Sequence, residues 1–387
     1  MAKTKTNRFK EFTENKTIDS GRPSYIEIDL DAFSNNFNHI KKLAGRDNAI
    51  MAVVKANAYG HGIVRISRQA EKLGADYLGV AFIEEAEKLL ETGIKMPIVI
   101  LYPDLPERAA KLVKKGLIAT VGSADYLEAL NRGAISIGTK ARIFIKAETG
   151  MGRYGVDITG LKALLGLARQ MDGLDILGIC TNLADSSNGD DTFTRDQFAE
   201  FTEMVDTADW QIDNIASIEN SSGLLFHHTS KFNLVRVGLL MYGFSPKARP
   251  GTGFKPVMSL KSRIIQLKNW PAGKPVGYGG KFIPRSDIIL ATIGIGYADG
   301  YPWTLSNKSH VLVNGLEAPV VGKICMDAMM IDVTDVPDIA VGDEVVLIGG
   351  SGDRYVNADY LADLAGSFVY ELISGMSDRL PRIYKGG

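Results

Sequence analysis

The chain has 387 residues, 45% hydrophobic and 23% charged, with 44 Lys plus Arg against 45 Asp plus Glu for a net charge of −1. That balance is ordinary for a globular chain in water and gives no electrostatic reason to expect nucleic acid or an anionic membrane as partner. No run approaches the ~18 apolar residues of a membrane span.

The polar start MAKTKTNRFKEFTENKTIDSG lacks the apolar core of a secretory signal, so residues 1–21 are expected to form a flexible tail. The two cysteines, Cys180 and Cys325, lack metal-ligand spacing and suit a reducing, cytoplasmic setting. His227 and His228 are adjacent with no third ligand nearby, and no metal site is expected.

The first apolar run, YIEIDL (25–30), alternates Ile26, Ile28 and Leu30 and reads as a strand with one buried face. Eight further runs follow: AIMAVV (49–54), DYLGVA (76–81), PIVILY (97–102), LIATV (117–121), ARIFIKA (141–147), DILGICT (175–181), NIASIE (214–219) and NLVRVG (233–238). Between them lie amphipathic stretches such as EEAEKLLETG (84–93) and ERAAKLVKKG (107–116), each closing on a glycine where a helix C-cap belongs. Strand and helix in alternation predict parallel pairing through crossovers, and eight βα units close a (β/α)8 TIM-type barrel. An open doubly wound sheet usually carries a Gly-rich phosphate loop after its first strand. Here AVVKANAYGHG (52–62) places a lysine there, which favours the barrel.

After GTGFKP (251–256) the grammar changes. VMSLKSRIIQLKNW, DIILATIGIGYADG, HVLVNG, APVVGKI, MMIDVTDV and DEVVLIGG are β-branched strands broken by turn residues, and helix returns only in ADYLADLAGSFVYELISGM (358–376). The expected organisation is a barrel over 22–253 and a mostly β C-terminal domain over 254–387, with residues 25–30 available to pair with the latter.

Catalytic groups of a barrel stand where strands end and βα loops begin. Those positions hold Lys55 after the first barrel strand, Lys146 at the end of the fifth, TN (181–182) after the sixth and ENSS (219–222) after the seventh. Arg236 lies in the eighth, and ETGMGRYG (148–155) adds a glycine-rich loop with Met151 and Arg153. A lone lysine at a strand end is ordinarily a solvated rim residue. Two lysines and an arginine on one barrel face call for chemistry, and the use of a partly desolvated lysine is an imine with a carbonyl. Glycines with Asn and Ser offer N–H and O–H donors suited to a phosphate. Together these point to pyridoxal phosphate or to a Schiff-base aldolase acting on a sugar phosphate.

AVVKANAYGHG resembles the pyridoxal-lysine motif of alanine racemases, and the resemblance runs from about residue 24 to the end. KAETGMGRYG is similar to that family's carboxylate-binding loop, ENS to its phosphate-binding Asn-Ser pair, and VRVGLLMYG to the segment whose arginine faces the pyridine nitrogen. VGYGGKF resembles the stretch with the second catalytic base, and GKICMD and YELISGMSDRLPRIY match C-terminal signatures.

The resemblance implies pyridoxal 5'-phosphate bound as an imine to Lys55, and interconversion of L- and D-alanine by two bases, Lys55 on one face and Tyr278 on the other. It implies a homodimer with shared active sites, Tyr278 coming from the partner. Such a tyrosine needs its pKa well below about 10, so nearby cations must favour the phenolate. By the same resemblance Arg236 bonds the pyridine nitrogen, and Tyr59, Asn220, Ser221 and Tyr370 hold the cofactor with the backbone N–H groups of Gly238 and Leu239. Arg153 and the Met326 N–H bind the substrate carboxylate, and Lys146 is a candidate carbamylated lysine that fixes Arg153.

Read from the residues alone, Cys325 and Met326 look like core of a β strand, Asp327 like a turn former, Tyr278 like a turn tyrosine and His61 like a structural residue. Asn182 and Ser217 stand where the family usually carries histidines, and Glu148 where Asp is frequent. These departures leave open a racemase of serine, lysine or ornithine. A decarboxylase of basic amino acids lacks the tyrosine loop and the GKICMD pairing, and a pyridoxal phosphate carrier usually lacks the β domain.

Overall fold

The computed structural model describes residues 21–186, 192–208, 215–229, 231–245 and 253–387, so the expected tail lies almost wholly outside the described residues. The chain divides into two compact units. One comprises Asp31–Ala58 and Gly62–Lys255; the other holds the first strand, Tyr59–His61 and Pro256–Gly386.

The strands in chain order begin with β1 (Tyr25–Asp29), β2 (Ala49–Val53), β3 (Tyr77–Val80), β4 (Ile98–Ile100) and β5 (Ile118–Val121). They continue with β6 (Ala141–Lys146), β7 (Leu174–Cys180), β8 (Ile215–Ser217) and β9 (Leu234–Val237). Strands β2 to β9 form one parallel sheet in the order β8-β7-β6-β5-β4-β3-β2-β9, the eight strands of the expected barrel.

Regular pairing joins β9 to β2, whereas side chains share the seam between β8 and β9 with the main chain. Asn233 takes the Ala216 N–H on its Oδ1 at 2.9 Å, and Ser217 Oγ donates to Leu234 O at 2.7 Å. Two main-chain bonds, Asn233 N to Ala216 O at 3.3 Å and Arg236 N to Glu219 O at 3.0 Å, complete the closure. Met51, Val99, Ile118, Phe144, Cys180 and Leu234 pack as one buried cluster, each large apolar side chain contributing about 1.5–3 kcal/mol on burial.

The helices between strands follow from local signals. Asp157 accepts the Gly160 N–H and caps Ile158–Ala168, and Ser123 caps Ala124–Ser136 in the same way. Ile83–Glu91 buries Ile83, Ala86 and Leu89 on one stripe and stops before Gly93, whose φ of +83° ends it.

In the other unit, β10 (Met258–Trp270), β11 (Ile288–Ile293), β12 (His310–Val313) and β13 (Leu316–Pro319) join β14 (Met329–Asp332), β15 (Glu344–Ser351), β16 (Arg354–Val356) and β17 (Arg382–Lys385). The long β10 pairs with β1 and β15 along its first part and with β11 beyond a bulge at Ile264–Gln266. β1 lies between β10, antiparallel, and β17, parallel. Its Ile26 and Ile28 are fully buried, as the alternation requires. The stretch 358–376 is two helices, Ala358–Ala365 and Val369–Ser374, because Gly366 takes φ +74° and stops the first.

Candidate active site

The residues singled out at strand ends gather at the C-terminal ends of the barrel strands. Lys55 follows β2, where Tyr242 Oη donates to Val53 O at 3.1 Å and pins the strand end. Beyond it the chain does something unusual for an L-polypeptide. Ala56, Asn57, Ala58 and Tyr59 all have φ of +52° to +55°, a left-handed turn costing about 1–2 kcal/mol per residue.

Three groups hold that turn. Ala58 N–H bonds Val54 O at 2.8 Å. Glu85 accepts the Ala56 N–H at 2.6 Å on one oxygen and the Ala81 N–H at 2.7 Å on the other. Asn57 Oδ1 accepts from Ile63 N–H at 2.9 Å, at the start of the next helix. The lysine is thus presented by a strained but well-tethered turn. Its Nζ donates to Tyr102 Oη at 2.9 Å and lies 5.1 Å from that ring's centroid.

Arg153 stands in the 148–155 loop with its Cζ 5.4 Å from the rings of both Tyr102 and Tyr154. Glu148 organises this loop by accepting the N–H groups of Gly150 (2.6 Å), Met151 (2.5 Å) and Arg153 (3.2 Å). Partial burial opposes ionisation of Glu148, but those N–H donors outweigh it and hold its carboxyl below the usual range. Gly155, at φ +118°, brings the loop's end so close to β6 that a Cβ there would lie 2.7 Å from the Ala147 carbonyl carbon. Only glycine fits.

Lys146 ends β6 opposite Cys180 of β7 and is buried. Burial, aided by the Arg236 and Arg153 cations, pulls its amine down to about 8. Arg236 in β9 is also buried, and both of its terminal nitrogens are hydrogen-bonded. It donates to Ser217 Oγ at 2.5 Å, Thr181 O at 2.6 Å and Asn182 Oδ1 at 3.3 Å. A guanidinium with neutral acceptors all round stays charged.

Asn220 and Ser221 follow β8. Asn220 Oδ1 accepts from Gly223 N–H at 2.9 Å and caps Ser221–Phe226. Ser221 Oγ accepts the N–H groups of Gly238 at 3.0 Å and Leu240 at 3.4 Å. The hydroxyl and the loop after β9 therefore converge, with Leu240 rather than Leu239 as the second donor to Ser221. Leu239 opens the 3-10 turn Leu239–Tyr242.

In the other unit, Tyr59 and Tyr370 pair with ring centroids 5.9 Å apart. His61 is buried, its Nδ1 2.9 Å from Tyr59 O. Tyr278 begins a short 3-10 turn and is 70% exposed. Met326 is 53% exposed and lies outside any strand, so it is not strand core; the half-buried Cys325 beside it is not either. The 3-10 turn Tyr297–Asp299 holds that segment, its Tyr297 and Ala298 N–H groups donating to Cys325 O and Met326 O at 3.1 and 3.0 Å. Gly296 permits this approach, since a Cβ there would sit 2.2 Å from Cys325 O. Asp327 pairs with Arg379 at 2.6 Å.

Two family models match nearly the whole described chain: the alanine racemase N-terminal domain over residues 28–246 and the C-terminal domain over 257–384. The chain belongs to the alanine racemase family. It is 38% identical to an alanine racemase of Halothermothrix orenii over 94% of this chain and 97% of that one. Among solved structures it resembles the alanine racemase of E. faecalis (30% identity, TM-score 0.90, covering 95% and 100% of the two chains). It also resembles that of Bartonella henselae with covalently bound pyridoxal phosphate (30%, TM-score 0.85, 94% and 99%).

Within this family the chain keeps Arg236 in place with neutral partners at the two departing positions. Ser217 supplies a hydroxyl and Asn182 a carboxamide oxygen, while the Asn182 Nδ2 donates to Leu183 O at 2.9 Å. Sequence reasoning gives no role to Tyr102 or Glu85. The signal available for Tyr102 is its place just past a barrel strand; for Glu85 there is none, because its two acceptor bonds depend on β2 and β3 being neighbours.

Proposed function

We propose that this chain interconverts L- and D-alanine by exchanging the proton at Cα, using pyridoxal 5'-phosphate. The observation that carries the reading is Lys55 on its strained turn, sharing one barrel face with Arg153, Arg236 and the Ser221 cradle, in a chain of this family. The donor set suits the cofactor: a lysine for the aldehyde, a fixed cation for a ring nitrogen, and hydroxyl plus backbone N–H groups for a phosphate. Once bound, the cofactor supplies the electron sink that acidifies Cα–H.

The chain's own groups do the rest. Lys55 bonds the cofactor, and when freed its Nζ takes or returns the Cα proton on one face. Tyr278 Oη serves the opposite face, from the partner subunit of a homodimer; its exposure and that of Met326 support their meeting another chain. Ser221 with the Gly238 and Leu239 N–H groups binds phosphate, Asn220 orients that loop, and Tyr59 and Tyr370 add hydroxyl donors. Arg236 donates to the ring nitrogen and has no proton to lose there. Arg153 and the Met326 N–H hold the carboxylate. The depressed amine of Lys146 is available to add carbon dioxide, and the resulting carbamate would brace Arg153. Free, half-buried or buried thiols at Cys180 and Cys325 fit a cytoplasmic setting.

The test is incubation with single L-amino acids in deuterated water, scoring both optical inversion and deuterium at Cα. Alanine is expected to be fastest, serine slower, and lysine and arginine poor, because Tyr370 and Tyr278 would crowd the space beyond the substrate's Cβ; some spillover is expected, since bulk alone discriminates by only about 1–3 kcal/mol per methylene. Faster turnover of lysine or ornithine overturns the substrate; exchange without inversion overturns the two-base scheme.

A further inference from the structure

Resting on the proposed role of Lys55, we propose that Tyr102 is a positioning residue that holds the Lys55 Nζ whenever that amine is not bonded to the cofactor, and holds the Arg153 guanidinium at the same time. Tyr102 lies two residues past β4. Its hydroxyl oxygen accepts from Nζ at 2.9 Å, and its ring centroid is 5.1 Å from Nζ and 5.4 Å from Arg153 Cζ. The ring is wedged in turn, with Tyr154 at 5.2 Å and Phe82 at 6.0 Å.

Two like charges converge on this one side chain, and only something electron-rich between them makes that tolerable. The negative face of an aromatic ring attracts a cation, and the phenol adds a directional acceptor for one of the two. A lysine has four rotatable bonds and a mobile point charge, so an amine released in mid-reaction would otherwise sample many orientations. Tyr102 gives it one. Because the same ring lies against Arg153, the proton-transferring amine and the carboxylate-binding fork are registered to a common part.

Two substitutions separate the two duties. Tyr102→Phe keeps the ring and removes the acceptor; Tyr102→Leu removes both. The full-length protein, stripped of cofactor with hydroxylamine, is mixed with pyridoxal phosphate and the rate at which imine absorbance appears is followed.

In Tyr102→Phe the imine is expected to form roughly fivefold more slowly, because the free amine is no longer held in one orientation. In racemisation, the isotope effect with Cα-deuterated alanine is expected to rise for the enantiomer whose proton Lys55 removes and to stay constant for the other, with KM unchanged. Tyr102→Leu should show the same asymmetry and an approximately fivefold higher KM in both directions. An imine rate unchanged in Tyr102→Phe, or isotope effects that rise equally for both enantiomers, overturns the inference. Borohydride trapping of the parent's imine on a lysine other than Lys55 overturns the reading of the site, and this inference with it.

Discussion

Lys146 carries a stability cost that depends on pH. Its folded value of about 8 lies below the ordinary lysine value of about 10.4. Below pH 8 the amine is protonated in both folded and unfolded chains, and the full burial cost is felt. Between pH 8 and about 10.4 the unfolded chain binds the extra proton, so stability rises with pH, by at most about 3 kcal/mol. Denaturant unfolding in buffer free of carbon dioxide should show that rise, and Lys146→Met should abolish it; an equal rise in both proteins would remove Lys146 as the cause. At this scale the sequence was informative about Lys55, Lys146, Arg153 and Arg236, because charged residues at buried strand ends have few structural uses. Tyr102 was not legible. Its contact with Lys55 joins residues 47 positions apart, and that closeness follows from strand order, not local pattern.

At the scale of elements, the turn after β2 is the least expected piece. Only Asn57 among its four positive-φ residues is of a type that tolerates that region readily. The run AVVKANAYGHG indicates a presented lysine but not the hand of the turn. The carboxylate that offsets the strain comes from a helix about thirty residues on. Glu85→Ala should leave the Ala56 and Ala81 N–H groups without their acceptor and destabilise by about 1–3 kcal/mol, read by chemical denaturation. Ala56→Gly should stabilise by up to about 1 kcal/mol, since glycine adopts φ near +50° without strain. Destabilisation by the glycine would show that the turn is not strained in solution. The eight barrel strands and the change of grammar near residue 254 were legible because hydrophobic period and turn chemistry are local. Cys325 and Met326 misled for the opposite reason: an apolar pair flanked by strands looks like core, and only the 3-10 turn at Tyr297–Asp299 shows why it stays outside.

For the molecule as a whole, the reading of shared sites makes a quantitative demand. Lys55→Ala and Tyr278→Phe should each be inactive. Mixed in equal amounts under conditions that let subunits exchange, half the dimers would be hybrids with one intact site. About a quarter of the parent activity should return. No recovery after demonstrated exchange, or full activity in a sedimenting monomer, would rule out sharing.

The first strand among the described residues, β1, pairs with β10 and β17, about 230 and 350 residues further on. At ~5–20 residues per second, a nascent β1 waits roughly ten to fifty seconds on the ribosome for its first neighbour, and longer for its second. All of Asp31–Lys255 is synthesised meanwhile. The strand carries a face of Ile26 and Ile28 that ends fully buried, and both its hydrogen-bonding edges are open until then. Translation therefore gives the barrel a head start, and leaves the earliest strand dependent on whatever shields it near the exit tunnel until the last few residues arrive.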